Sequence, residues 1–245
     1  MRHALLRRRR RGGNPLTAKY QSILAESPTL LHAMEGAALT EWEGVPIYYA
    51  DAAGTTPVYA VGDPVGGLLD LVSGTITTTQ GIDGNRPVLG LDSVIFDKDS
   101  SNDLVASFAA TGGDPHSVAM SLSLQAGNVG NERAYGGDSV NSNIRLRSSN
   151  LDGWNIRNSG TAQIVLSAPI TLDKFGTLTG VHDQPAIVRY DGTEDTEDIG
   201  APANISTIHI GSRTGGDYIS ASVKTWMYFN RALTPTERQD LEALL

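Results

Sequence analysis

The densest acid chemistry in this sequence is the run Asp191-Gly192-Thr193-Glu194-Asp195-Thr196-Glu197-Asp198, five carboxylates in eight residues. Paired carboxylates can serve as general acid and base. The glycine punctuation, however, reads as a solvated hairpin turn. A second oxygen-rich pattern, Asp97-x-Asp99-x-Ser101-x-Asp103, has the alternating ligands of a calcium loop. It lacks the glycine at the sixth position, where Asn102 stands, and the bidentate acid at the twelfth, where Phe108 stands. A polar turn is therefore the default reading there, with Asp97, Asp99, Ser101 and Asp103 kept as the one calcium candidate. No other cofactor is expected.

Gly137-Asp138-Ser139 has the local look of a hydrolase serine, but no G-x-S-x-G and no downstream Asp-x-x-His complete a triad. The histidines at 3, 32, 116, 182 and 209 are scattered without metal-ligand spacing. There is no cysteine, which removes disulfides, thiolate catalysis and Cys-type zinc sites. What remains is recognition. Between residues 128 and 157 the chain offers Asn131, Arg133, Tyr135, Arg145, Trp154, Asn155 and Arg157, planar hydrogen-bonding groups beside aromatic rings. Of these, Arg133, Tyr135, Arg145, Trp154 and Asn155 are the candidate sugar contacts. The alternative is that Trp154 is core and the arginines solubilise an exposed sheet face.

These residues need elements to position them. Asn14 followed by Pro15 reads as an N-cap and first-turn proline, and Leu16, Tyr20, Ile23 and Leu24 recur at helical spacing, which predicts a helix over 15–25. From about Val45 the punctuation by Gly, Asn, Asp and Ser becomes that of an all-β sandwich. Ser117 to Ala126 alternates apolar and small polar residues, a strand with one face in a core. Asn143–Arg147, Trp154–Arg157, Gln163–Leu166, Ala186–Tyr190, Thr207–Gly211 and Tyr218–Phe229 are further predicted strands. In the last of them Ile219, Ala221, Val223, Thr225, Met227 and Phe229 are expected to share one face. Thr234-Pro235-Thr236-Glu237 combines an N-cap, a first-turn proline and a capping-box acid, which predicts a short C-terminal helix.

Charge divides the chain. Six arginines, Arg2 and Arg7 to Arg11, lie in the first eleven residues; the rest carries 13 basic against 27 acidic residues, a net −14. A basic arm on an acidic body suggests an anchor that docks on something negative. Arg7, Arg8, Arg9, Arg10 and Arg11 are the candidate anchoring residues. Nucleic acid is an unlikely partner for the acidic body, and only the arm could hold it. No segment approaches the roughly 18 apolar residues of a membrane span, and the N-terminus lacks the apolar stretch of a secretory signal. Membrane partners are not expected.

Several segments resemble concanavalin-A-like lectin/glucanase (laminin-G-like) domains, particularly those of tailed-phage and phage-like particle structural proteins. Asp51-Ala52-Ala53-Gly54-Thr55-Thr56-Pro57-Val58, Val61-Gly62-Asp63-Pro64-Val65-Gly66 and Leu69-Asp70 resemble a lead-in found in phage surface proteins. Thr79-Gln80 and Asn85-Arg86-Pro87-Val88-Leu89-Gly90 resemble the linker into the jelly roll. Phe96-Asp97 with Asn102-Asp103-Leu104 is similar to the family's "FDG-x-DDYL", although Lys98 replaces the glycine and the loop is longer. Ile208-His209-Ile210-Gly211-Ser212-Arg213 and Tyr228-Phe229-Asn230-Arg231-Ala232-Leu233-Thr234 resemble its closing strands.

The resemblance covers residues 50 to 245. It implies a two-sheet antiparallel jelly-roll sandwich, to which the residues themselves add a short N-terminal helix and arm and a short C-terminal helix. The expected parts are a basic arm (1–13), an anchoring or lead-in region (14–79) and the jelly roll (80–245). A glucanase of this kind spaces its acids as E-x-D-x-x-E, and no such spacing occurs, so an enzyme is not expected. The function implied is that of a structural surface protein of a phage or phage-like particle, as head decoration, spike, fibre or tail component. It would be located in the virion, made in the host cytoplasm, partnered by other virion proteins and by copies of itself, and in contact with host polysaccharide. A free carbohydrate-binding lectin is the alternative.

Overall fold

The computed structural model describes residues 14–128, 130, 132–137, 143–146, 151–158, 162–212 and 216–245. Helix α1 (Pro15–Ala25) starts as predicted, with the Asn14 side chain accepting the Leu16 amide at 3.0 Å. The first half continues with β1 (Leu30–Ala33), β2 (Glu41–Trp42), β3 (Val45–Pro46), β4 (Tyr48–Tyr49), β5 (Gly67–Asp70), β6 (Thr75–Thr79), β7 (Val88–Leu89), β8 (Val94–Phe96) and β9 (Leu104–Ser107). The second half holds β10 (His116–Leu124), β11 (Arg133–Gly137), β12 (Asn143–Leu146), β13 (Gly153–Arg157), β14 (Ile164–Ser167), β15 (Gly176–His182), β16 (Ala186–Tyr190), β17 (Thr193–Glu197), β18 (Thr207–Ile210) and β19 (Ala221–Phe229). Helix α2 (Pro235–Leu244) closes it through a complete capping box. The Thr234 hydroxyl accepts the Glu237 amide at 3.3 Å, and the Glu237 carboxylate accepts the Thr234 amide at 2.7 Å.

Apart from the β2–β3 hairpin, the strands form two antiparallel sheets. One runs β17-β16-β15-β10-β19-β8-β7, with β1 also paired to β19; the other runs β14-β13-β12-β11-β18-β9-β6-β5-β4. Together they make the expected all-β sandwich. The predicted strands are recovered to within a few residues at each end. One buried hydrophobic cluster extends from Tyr20 through Trp154 and Trp226 to Leu241. Among the described residues no helix is long and apolar enough to cross a membrane.

Strand β10 departs from expectation because every one of its nine residues is buried. Its serine face is covered instead of solvated: the Ser117 hydroxyl donates to the Arg231 carbonyl at 2.9 Å and accepts the Leu233 amide at 3.1 Å. Helix α1 covers the neighbouring stretch of β19, its Tyr20 hydroxyl lying 2.9 Å from Thr225 Oγ1. The face assignment within β19 is also corrected. Pairing steps from Ser121↔Thr225 to Leu122↔Val223, so Lys224 is an extra residue in the strand. Such a bulge reverses side-chain alternation. Val223 and Ala221 therefore lie on the side of Trp226 and Tyr228, opposite Thr225 and Met227.

Two histidines tie the sheets together. His32 on β1 has Thr78 Oγ1 of β6 at 2.6 Å from its Nε2 and the Leu69 carbonyl at 3.0 Å from its Nδ1. His182 on β15 has the Tyr135 hydroxyl of β11 at 2.6 Å from Nε2 and Asn158 Oδ1 at 3.0 Å from Nδ1. A carbonyl can only accept, so in each ring Nδ1–H donates and Nε2 accepts from a hydroxyl. Both rings are thereby fixed as neutral tautomers. Gly180 makes the second tie possible, since a β-carbon there would meet the Tyr135 hydroxyl at 2.5 Å.

The acidic run expected to be a loop is a hairpin with a real second strand. Asp191 and Gly192 turn with φ of +42° and +83°, and β17 follows as a fully exposed edge. Charges on an edge strand deter pairing with other chains. Glu194 on this strand accepts from Arg238 of α2 at 2.8 and 2.9 Å, fastening the helix to the sheet. The boundary expected at residues 79/80 coincides with no break in the sandwich. β6 hydrogen-bonds directly to β9, through Thr78↔Ala106 and Thr79↔Val105.

Candidate functional site

Strands β11 to β13 carry all five candidate sugar contacts, but strand alternation, with a register shift between Arg133 and Tyr135, sends them to two different places. Tyr135 and Trp154 point between the sheets and are 1% and 0% exposed. Tyr135 holds His182, and Trp154 packs against Tyr190 with ring centroids 5.9 Å apart. Neither ring can serve as a platform for a sugar without opening the core. For Trp154 the structure shows the alternative reading, a core position; the sequence alone left both open because a strand aromatic reads the same whether it faces inward or outward.

Arg133, Arg145 and Asn155 lie on the opposite, outer face of the nine-stranded sheet, one residue out of phase with the core positions Ile144, Leu146, Trp154 and Ile156. Arg133 is buried against Asp217, at 3.1 and 3.2 Å, and also donates to the Asn143 amide oxygen. Arg145 and Arg157 converge on one acceptor, Gln163 Oε1, at 2.6 and 3.2 Å. Asn155 sits opposite Arg145 in the ladder, and its Oδ1 is buried with no partner among the described residues. A row of guanidinium and amide groups thus runs across β12 and β13 on this face, closed by Gln163 just before β14; Asn143 and Asn155 are buried in it, and Arg145, Arg157 and Gln163 are half-buried. Gln163 and Asn143 belong to this row and were missed from sequence, where an isolated amide carries no signal.

The calcium candidates do not converge. Asp97 turns its carboxylate onto its own loop, accepting from the Asp99 amide and the Ser100 hydroxyl, each at 3.0 Å. Ser101 sits in that turn at φ +54°. Asp103 is engaged elsewhere: His209 Nδ1 lies 2.8 Å and the Ser212 hydroxyl 2.9 Å from one oxygen, while Gln80 donates to the other. Among the described residues no three acidic or histidine side chains cluster as metal ligands.

The lead-in resemblance also acquires a physical content. Asp51 accepts from the Thr55 amide and hydroxyl and the Thr56 amide at 2.8 to 3.0 Å. These bonds hold its carboxyl down to about 2, and they explain why an aspartate precedes the paired threonines. The Arg7–Arg11 arm, Asn131 and the Asp138-Ser139 pair lie outside the described residues.

Among the described residues the carboxylates with a resolved shift, Asp51, Asp198 and Glu237, are all shifted downward by hydrogen bonds or by Arg231. That is opposite to what a proton-donating acid requires. Buried Glu35 and Glu132 are paired with Lys19 and Lys98 at 2.8 and 3.7 Å.

No family model matches the chain, and no curated protein matches its sequence. Its antiparallel β-sandwich is similar in fold to parts of solved proteins. The sialidase of Trypanosoma rangeli is similar with a TM-score of 0.58 at 13% identity, over 93% of this chain and 37% of that one. The same sialidase in complex with the inhibitor DANA gives 0.56 at 13% identity, over 93% and 38%. The binding domain of botulinum neurotoxin serotype G gives 0.53 at 14% identity, over 72% and 48%. The chain spans less than half the length of each, and at these identities the likeness is one of fold alone.

Proposed function

We propose that the chain is a non-catalytic, lectin-like surface module of a phage or phage-like particle, anchored by its N-terminal region and turned toward host polysaccharide. The observation that carries the binding part is the outer-face row in which Arg145 and Arg157 share Gln163 beside Asn155. Guanidinium and amide groups held in fixed geometry match the hydroxyl pairs of a glycan.

The downward carboxylate shifts favour binding over cleavage. The particle part rests on the resemblance of the 51–70 lead-in and on the basic arm. Two measurements test the reading separately. Retention on immobilised bacterial surface polysaccharide is expected to fall at least tenfold in Arg145→Ala/Arg157→Ala, with an unchanged melting curve. Unchanged retention overturns the binding site. Deleting residues 1–13 is expected to abolish incorporation into particles, and normal assembly with the truncated protein overturns the anchoring role.

A further inference from the structure

Away from the outer face, at one end of the sandwich, the chain between β9 and β10 loops over a cavity of about 220 Å³. Its walls are the Phe108 and Tyr228 rings, the alanines 109 and 110, Asp114, Thr29 and Asn230. Phe108 stacks on Tyr228 with centroids 4.6 Å apart and planes at 22°. Tyr228 is backed by His116 at 6.1 Å, and His116 by His182 at 4.7 Å. The wall is therefore the outermost layer of a buried stack, and the core holds it in place.

The loop is equally well fixed. The Phe108 amide donates to the Ser206 carbonyl at 3.0 Å, the Thr111 amide to Ile205 at 2.9 Å, and the Gly112 amide to Asn204 Oδ1 at 2.8 Å. A preformed cavity loses little ordering entropy when it is filled.

The polar groups of this cavity have a consistent chemistry. The Asp114 carboxylate and the Asn230 carboxamide make no hydrogen bond or ion pair among the described residues. Thr29 Oγ1 accepts the Asn230 amide at 3.0 Å and keeps its own proton to give. Among the described residues no basic side chain lines the cavity, so an anionic ligand would meet Asp114 with nothing there to neutralise it. A ring with one apolar face and several neutral hydroxyls matches all of these features. Its face lies on Phe108 and the alanines, and its hydroxyls donate to Asp114 and exchange hydrogen bonds with Asn230. The volume lies below the roughly 300–1,000 Å³ of drug-sized pockets, which suits a single ring.

We propose that this cavity binds one neutral sugar ring, terminal or branching, through Phe108, Asp114 and Asn230. The site is separate from the outer-face row and does not depend on it.

The test uses the isotope-labelled full chain, titrated with methyl α-glucoside, methyl α-galactoside, methyl α-mannoside and N-acetylglucosamine, and with methyl glucuronide as the anionic control. At least one neutral probe is expected to give saturable amide shifts confined to residues 108–115 and 228–230, with a dissociation constant on the order of millimolar. The glucuronide is expected to bind at least tenfold more weakly. Asp114→Ala and Asn230→Ala each sit on the surface and are expected to weaken binding at least tenfold while the rest of the spectrum stays unchanged. Absence of shifts with all four neutral probes overturns the proposal, as does equal binding of the glucuronide or full binding by both variants. Arg145→Ala/Arg157→Ala is expected to leave this titration unchanged. If the titration fails while polysaccharide retention persists, only the cavity assignment falls.

Discussion

Three buried histidines give individual residues their largest influence on this molecule. Burial holds His32, His116 and His182 below the ordinary imidazole value, His116 down to about 4, and the neighbouring His116 lowers His182 further. The neutral rings of His32 and His182 accept from the hydroxyls of Thr78 and Tyr135 across the sandwich, so a proton on Nε2 would force each hydroxyl to rotate and turn a lone pair toward the ring. In the unfolded chain these rings protonate near the usual value of about 6.5. Below that pH the unfolded state binds protons that the folded state refuses, and stability falls. The loss is expected to run from about pH 6.5 down toward 4 and to be absent above about 7.5. Carboxylates with depressed values, such as Glu237 at about 2, add their own loss only as pH falls below about 5, so the change between pH 7.5 and 5 belongs to the histidines. Urea unfolding at pH 7.5, 6, 5 and 4.5 measures it directly. A flat unfolding free energy across that range would falsify the assignment of neutral sheet-bridging histidines.

At the scale of elements, helix α2 shows how local signals become stability. Thr234→Ala removes one half of the capping box and is expected to cost about 1 kcal/mol, lowering Tm by about 2–4 °C for a chain of this size. A thermal melt checks this, and an unchanged Tm would mean that the Arg238–Glu194 pairing alone holds the helix. Both helices were legible because caps and prolines act within four residues of chain. Strand positions were legible for the same reason, period two being local. What could not be read was which face is covered by something distant. The serines of β10 look solvated until residues 231–233 fold over them, and the Lys224 bulge reverses β19 without any turn residue to announce it. Trp154 and Tyr135 were legible as strand residues, whereas their direction was not. Asp114 and Asn230 are separated by more than a hundred residues, so no sequence pattern could bring them to one cavity.

For the whole molecule, the decisive relation is that the first third of the chain is built into the sandwich instead of leading up to it. β1 pairs with β19 through Leu30↔Tyr228 to Ala33↔Thr225 and places His32 against Trp226. β4, β5 and β6 extend the nine-stranded sheet beyond β9. Tyr20 of α1 is fully buried over β19 and bonds Glu35, Thr225 and the Lys224 carbonyl. A fragment of residues 80–245 would therefore bare one edge of β19, the edge of β9 and the Trp226 ring, and unpaired apolar edges aggregate. That fragment is expected to lack a cooperative melt and to elute as aggregate, whereas residues 14–245 are expected to melt within a few degrees of the full chain. Circular dichroism melts and size-exclusion chromatography of the two truncations decide the matter. A cooperative, monomeric 80–245 fragment would show that residues 14–79 are an appendage after all. Their loss would then leave the cavity lined by Phe108 and Tyr228 intact but for Thr29, so the same fragment would also reveal how much of that site depends on the N-terminal third.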